Sequence, residues 1–411
     1  MDVLLDRVAG LDVHKRSVTA CVRTPGSGRK RRREEKRTFA TYSGDLGRLR
    51  EWLVAEGVTD VAMESTGVFW KPVWHVLEGS FELLLVNARH VKMIPGRKTD
   101  VADAAWLAQL LECGLLRGSF IPPPEIRRLR DLTRYRKRLV QDRTRETQRV
   151  EKVLEDAGIK LASVASRTLG VSGRAMIERL IAGERDPEVL ADLALKRLRH
   201  RIDDLEAALV GRFDQHHATM LEFHLAHVDQ LTATIGELDR RIDEAIGAFA
   251  AQRDRLMTIP GIAKITAEVV IAEVGVDMSR FPTAGHLASW TGFCPGNNES
   301  AGKHRSGRTT RGSIWLRDVI TQSAWAAART KDSYLSAQSW RLAGRIGQRK
   351  AAVAVAHSII VAIWHILHDD TDFQDLGPDY FVRRLDPQRT QRRLIRQLEA
   401  LGLIVTVEPA A

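Results

Sequence analysis

The sequence predicts an α/β N-terminal domain, a helical arm and a mainly α C-terminal domain. Three observations carry that prediction. Short apolar, β-branched stretches separated by turn signals occupy the chain as far as Val86. A densely basic stretch then leads to apolar residues spaced by three and four from Val228 onward. Alanine-rich apolar runs fill the region after Leu256. The expected boundaries are 1–124 for the first domain, 125–250 for the arm and 251–381 for the second domain, with 382–411 as a basic tail.

Composition narrows the function class. The 411-residue chain has a formal charge of +11, which favours a polyanionic partner, nucleic acid first among them. A merely basic surface is the bland alternative. Cys21, Cys113 and Cys294 lack metal-ligand spacing and sit beside apolar or small residues, so buried, reduced thiols in the cytosol are expected. No run is expected to span a bilayer, and a cytoplasmic protein with no membrane role follows.

The elements come in a definite order. Arg7–Val13 is a short apolar strand interrupted by Asp12, and Val18–Val22 is a second strand beyond the turn His14–Ser17. The turn signal Thr24–Gly28 and the basic run Arg29–Arg33 lead to a third strand, Arg37–Thr41. Ser43 can N-cap a helix running to Glu56. Asp60–Glu64 is a fourth strand ending on an acid, Trp70–Leu77 a helix and Phe81–Val86 an almost wholly apolar fifth strand. The order β-β-β-α-β-α-β-α is that of a ribonuclease-H-like (RuvC-like) fold. On it Asp12 lies within the first strand and Glu64 at the end of the neighbouring fourth.

The stretch Lys98–Ala105 adds Asp100 and Asp103 at the start of a strong helix former. At i and i+3 both carboxylates point the same way. Two like charges on one face invite a divalent cation, although first-turn acids also simply favour the helix dipole. An acid inside a strand costs several kcal/mol unless paired or metal-bound. Four carboxylates suit two hard cations such as Mg²⁺ about 4 Å apart, the arrangement for in-line phosphoryl displacement.

Gly10-Leu11-Asp12-Val13-His14-Lys15, Met63-Glu64-Ser65-Thr66-Gly67 and Lys98-Thr99-Asp100-Val101-Ala102-Asp103-Ala104 together resemble the three signatures of the DEDD-type transposases of bacterial insertion sequences, insertion-sequence family one hundred and ten. The resemblance places that family's four metal-binding acids on Asp12, Glu64, Asp100 and Asp103, and implies Mg²⁺ as cofactor.

Downstream, Glu125–Leu154 reads as a long basic helix. Arg127, Arg130, Arg134 and Lys137 are its leading candidates for a phosphate backbone, against a solvated face with intrahelical pairs. Val228, Leu231, Ile235, Leu238, Ile242, Ala245 and Phe249 form a heptad seam, and Leu198, Ile202, Leu205 and Leu209 share its rhythm. An intramolecular helical hairpin and a contact between copies both satisfy it. Leu256–Ala267 resembles a helix-hairpin-helix element whose helix start, with Lys264, can hold a phosphate; a packing hairpin with no ligand is the alternative.

The Gly-rich, polar and basic stretch Gly292–Arg308 is an exposed loop. A serine there can act as a phosphoryl-transfer nucleophile, with Lys303, Arg305 and Arg308 stabilising developing charge, but composition alone also allows polar filler. The family resemblance assigns the nucleophile to Ser300 within Glu299-Ser300-Ala301-Gly302-Lys303. The sequence departs from the family pattern at Glu299 and Ala301, which leaves Ser306 as the fallback. Trp315–Arg329 and Lys350–Leu367 are helices, and His357, His365 and His368 on the second are spaced irregularly for a metal face. The tail is expected to hold a basic helix and one strand.

The resemblance implies a recombinase that cuts and rejoins insertion-sequence DNA, forms a phosphoserine linkage, and acts as a dimer or tetramer with a centre composed between protomers. It also implies an element-encoded noncoding guide RNA that pairs with DNA. A Holliday-junction-resolvase-like nuclease using the four acids alone is the second reading, and a non-catalytic binding protein the third.

Overall fold

The computed structural model describes residues 3–26, 32–64, 67–88, 91, 103–296, 299–300, 302–304, 309–383 and 387–407. Asp100, Arg305, Ser306 and Arg308 lie outside the described residues. The chain forms two compact units, Met1–Ile121 and Pro122–Ala411.

The first unit is a five-stranded mixed sheet flanked by helices. Its strands are β1 (Val8–Val13), β2 (Ser17–Pro25), β3 (Arg32–Ala40), β4 (Asp60–Glu64) and β5 (Glu82–Val86), in spatial order β3-β2-β1-β4-β5. β2 runs antiparallel to β1 and β3, while β1, β4 and β5 are parallel. The third strand begins earlier than expected, taking in the run Arg32–Lys36. As an edge strand with solvated side chains it carries charge freely.

Strand alternation sends side chains to opposite faces. Ala9, Leu11, Val13, Val61 and Met63 join Leu49, Leu53, Val73 and Leu77 from α1 (Ser43–Ala55) and α2 (Trp70–Leu77). Ser43 does not cap α1: Tyr42 occupies the cap position and Ser43 is the first helical residue. On the opposite face Val8, Cys21 and Ala62 pack on Ala104, Ala108 and Leu111 of α3 (Asp103–Glu112).

The second unit is mainly helical. Its longest helices, α4 (Pro124–Asp156) and, after α5 (Val171–Ile181) and α6 (Ile202–Leu209), α7 (Gln215–Ile246), pack along each other. Leu139 meets Leu231, Ile235 and Leu238, while Val150 and Leu154 share a core with Leu221 and Leu225, so the two helices run antiparallel. The seam is therefore covered within one chain. It ends on buried Ile246 rather than on Ala245, which is exposed, and Phe249, which lies beyond the helix. The earlier apolar rhythm is interrupted by a 3-10 turn over Lys196–Arg201, and α6 closes a core with α5 through Leu205, Leu209, Met176 and Ile177.

Next come α8 (Ala250–Met257), α9 (Lys264–Val274), α10 (Ala284–Trp290), the two-residue strands β6 (Glu299–Ser300) and β7 (Lys303–His304), α11 (Ile314–Ala327), α12 (Tyr334–Ile346) and α13 (Gln348–Asp369). Contrary to the sequence expectation, α13 is long and apolar enough to cross a bilayer by length and composition. It is the core helix of this unit: Ala351, Val355, Ile359, Ile360 and Ile363 are fully buried, and its Trp364 donates to the Phe281 carbonyl at 2.8 Å. The tail forms a basic helix, α14 (Pro387–Glu399); the expected strand does not form, as residues 403–407 have no regular structure.

Candidate functional site

Three of the four predicted acids are among the described residues. Asp12 is the fifth of six residues in β1, and Glu64 ends β4. The parallel register pairs Gly10 with Ala62 and Leu11 with Met63, so Asp12 and Glu64 are the next neighbours along it. Both share the sheet face of Val8 and Ala62, the face that α3 covers. Asp103 is the first residue of α3, on the same side of the sheet. Asp12 Oδ2 is 3.0 Å from His14 Nε2.

A glycine sets this arrangement. A Cβ on Gly10 would lie 2.2 Å from the Ala104 carbonyl oxygen and 2.4 Å from the Ala108 nitrogen. Only a residue without a side chain admits the helix so close, and a glycine inside a strand is the sequence signal for such an approach. The far end of α3 is tied down by Glu112, which is buried. It accepts from Arg23 Nε at 2.7 Å and pairs with Arg32 at 3.2 Å. Among the described residues, no group of three or more His, Cys, Asp or Glu side chains is gathered closely enough to hold a metal ion.

In the second unit, Ser300 lies in a two-strand hairpin in which Glu299 pairs with His304 and Ser300 with Lys303. Gly302 takes φ +71° at the turn, and Lys303 is exposed. Beyond the loop, Ser313 caps α11, and its hydroxyl is 3.2 Å from Glu273 Oε2. Glu273 is only 1% exposed and accepts both prongs of the Arg134 guanidinium, at 2.7 and 2.8 Å.

Comparison with known proteins gives these features a family. A family model for DEDD transposases of the IS110 type, described as "Transposase", matches residues 9–159, and a second, "Transposase IS116/IS110/IS902 family", matches residues 253–339. The chain belongs to the IS110 family of transposases. It is 25% identical to the transposase for insertion sequence element IS1111A of Coxiella burnetii, over 69% of this chain and 70% of that protein. It is 26% identical to an uncharacterized protein of insertion element IS116 from Streptomyces clavuligerus, over 72% of this chain and 81% of that one. The transposase for element IS1328 of Yersinia enterocolitica is 24% identical over 76% and 85% of the two chains. Membership makes this protein an enzyme that cuts and rejoins DNA.

The transposase commits several of its predicted phosphate contacts to its own structure. Arg130 donates to the carbonyls of Ala272 and Glu273 at 2.9 and 2.7 Å, in the last turn of α9. It closes that helix end, where a cation complements the dipole. Burial pulls its guanidinium down to about 10. Arg134 is held by Glu273, Lys137 by Asp318, and Lys264 by Asp243 at 2.5 Å. Arg127 is half-buried, whereas Arg128 and Arg138 are exposed on the same helix. Arg138 lies 5.5 Å from the centre of the Trp315 ring. The exposed positions differ from those expected because helical phase decides them, and the basic run is too dense for its sequence to reveal that phase.

Within the Leu256–Ala267 element, the turn that joins α8 to α9 packs on α11. Gly261 has φ +88°, and a Cβ there would lie 2.3 Å from the Ser323 carbonyl oxygen. His365 and His368 pair with Asp369, and His368 stacks on Trp364.

Proposed function

We propose that this transposase combines two chemistries, an acidic metal site in the first unit and a serine nucleophile in the second. The placement of Asp12 and Glu64 on one sheet face, with Asp103 opening the helix that covers that face beside the Gly10–Ala104 contact, carries the first. The strand order and directions support reading the unit as ribonuclease-H-like (RuvC-like). An all-carboxylate donor set suits a hard cation, so Asp12, Glu64, Asp100 and Asp103 would hold Mg²⁺. A bound Mg²⁺ supplies charge stabilisation for the attacking and departing oxygens. The acids would orient it, and Gly10 lets α3, which begins with Asp103, pack directly on the strand that carries Asp12.

The second chemistry rests on Ser300. Its Oγ would attack a DNA phosphorus, forming a P–O bond to serine. A sugar P–O bond breaks, and the departing oxygen takes up a proton. Rejoining reverses these steps with a different DNA end. The match of residues 253–339 to the second family model supports this over a four-acid nuclease, which needs no such segment. Lys303, Arg305 and Arg308 would stabilise the phosphate charge. DNA is the substrate; an element-encoded guide RNA and a dimer or tetramer complete the proposal.

A cleavage assay on element-end DNA with its flanking RNA tests the metal site. Asp12→Ala, Glu64→Ala and Asp103→Ala should each lower Mg²⁺-dependent cleavage on the order of 1,000-fold with folding intact. Cleavage that survives all three single changes overturns the site.

A further inference from the structure

We infer that Arg317 is a positioning residue for the serine loop, acting as a clamp across its neck. The two stems of the loop, Gly292–Pro295 and Thr309–Gly312, meet backbone to backbone. A Cβ on Gly292, which has φ +75°, would lie 2.6 Å from the Gly312 nitrogen, and one on Gly312 would lie 2.1 Å from the Thr291 carbonyl oxygen. Pro295 and Thr309 form an antiparallel bridge, and the Thr310 amide donates to the Cys294 carbonyl at 3.3 Å.

Arg317, in the first turns of α11, bridges both stems with one guanidinium. Nη1 donates to the Gly292 carbonyl at 2.6 Å on one stem and to the Thr310 carbonyl at 3.2 Å on the other. Nη2 donates to Thr309 Oγ1 at 2.8 Å. The same group lies 5.5 Å from the centre of the Phe293 ring, which is buried. Bidentate, planar donation across two stems is a geometry that lysine cannot reproduce.

α11 is itself anchored. Ser313 caps its start and bonds to Glu273, which Arg134 holds on α4. A chain of polar contacts thus runs from α4 through Glu273 to the base of the loop, and Arg317 closes the loop against that base. Its consequence for the reaction is register: the direction in which the chain leaves the neck sets where residue 300 stands. The inference rests on the Ser300 reading for its catalytic consequence, whereas the clamp itself is a structural claim.

The test uses the full-length chain with Arg317→Gln, Arg317→Lys and the milder Thr309→Val, which removes one acceptor and leaves the arginine. Amide hydrogen exchange over Thr309–Gly312 should rise at least about 10-fold in Arg317→Gln, with exchange in α13 unchanged. The rate of serine–DNA adduct formation should fall on the order of 100-fold, the cost of displacing a reacting group by roughly 1 Å, while DNA affinity stays within about twofold. Arg317→Lys should fail to rescue the rate, and Thr309→Val should lose rate by a smaller factor with its fold intact. An adduct in the wild type that forms at an unchanged rate in Arg317→Gln, or unchanged exchange at the neck, overturns the clamp. Absence of an adduct from the wild type overturns the serine reading instead, and the exchange result then decides the clamp alone.

Discussion

The Ala104 carbonyl oxygen lies 2.2 Å from where a Cβ on Gly10 would stand. This single approach brings the start of α3, and with it Asp103, down onto the strand that carries Asp12. Gly10→Ala should therefore destabilise the protein by about 1–3 kcal/mol, since the obstacle is backbone and cannot rotate away. Denaturant unfolding checks the stability. Metal-dependent cleavage should fall further than stability does, because the same shift moves Asp103 relative to Asp12.

Removing one acid should cost far more activity than stability. Asp12→Ala is expected to lose on the order of 1,000-fold in cleavage, corresponding to several kcal/mol of charge stabilisation. Chelation of divalent ions should reproduce the loss in the wild type, and added Mg²⁺ should reverse it. Steady thermal midpoints alongside lost cleavage would separate chemistry from folding.

Glu273 gives a stability test. Arg134→Ala leaves a buried carboxylate without its bidentate partner, and breaking such a pair costs about 3–5 kcal/mol. Combining Arg134→Met with Glu273→Leu should recover most of that loss, because the apolar pair avoids the uncompensated charge. Chemical denaturation of the single and double variants measures it.

The exposed arginines separate nucleic-acid contact from structure. Arg128→Ala and Arg138→Ala should each weaken DNA or RNA binding nearly uniformly across sequences and lower the salt slope by about 1. Arg130→Ala should chiefly reduce stability, since its guanidinium closes the end of α9. Binding titrations at several salt concentrations tell them apart.

Acid should loosen the α4–α7 pair through Glu146. Burial pushes its carboxyl up, but hydrogen bonds from His224 and Arg149 outweigh this and hold it below the ordinary carboxylate range. His227 faces the same carboxylate at 3.5 Å. A depressed folded value means the contribution is present above the unfolded value of 4.5 and lost as pH falls through the lower folded one. Unfolding monitored at pH 7 and pH 3 should show a smaller acid penalty in Glu146→Gln than in the wild type.

Much of the first unit was legible because its inner strands and helices bury apolar faces, so the strand Asp60–Glu64 and the helix Trp70–Leu77 have the same limits in sequence and structure. The edge strand β3 hid half its length behind charged, solvated residues. The heptad seam was visible, yet its partner was not, because spacing says nothing about which helix covers it. Arg130, Arg134 and Lys137 looked like phosphate contacts since their carboxylate and carbonyl partners lie far along the chain. Arg317 left no local signal at all: its role depends on two glycine-backed stems that meet only in the fold.

The measurement that bears most directly on the central claim is covalent trapping. Purified transposase, element-junction DNA, its flanking noncoding RNA and Mg²⁺ would be resolved on a denaturing gel, with Ser300→Ala and Asp12→Ala alongside. The two-chemistry account predicts a protein–DNA adduct in the wild type that disappears in both variants. Metal-dependent cleavage that persists in Ser300→Ala with no adduct in any lane would contradict it and leave a four-acid nuclease.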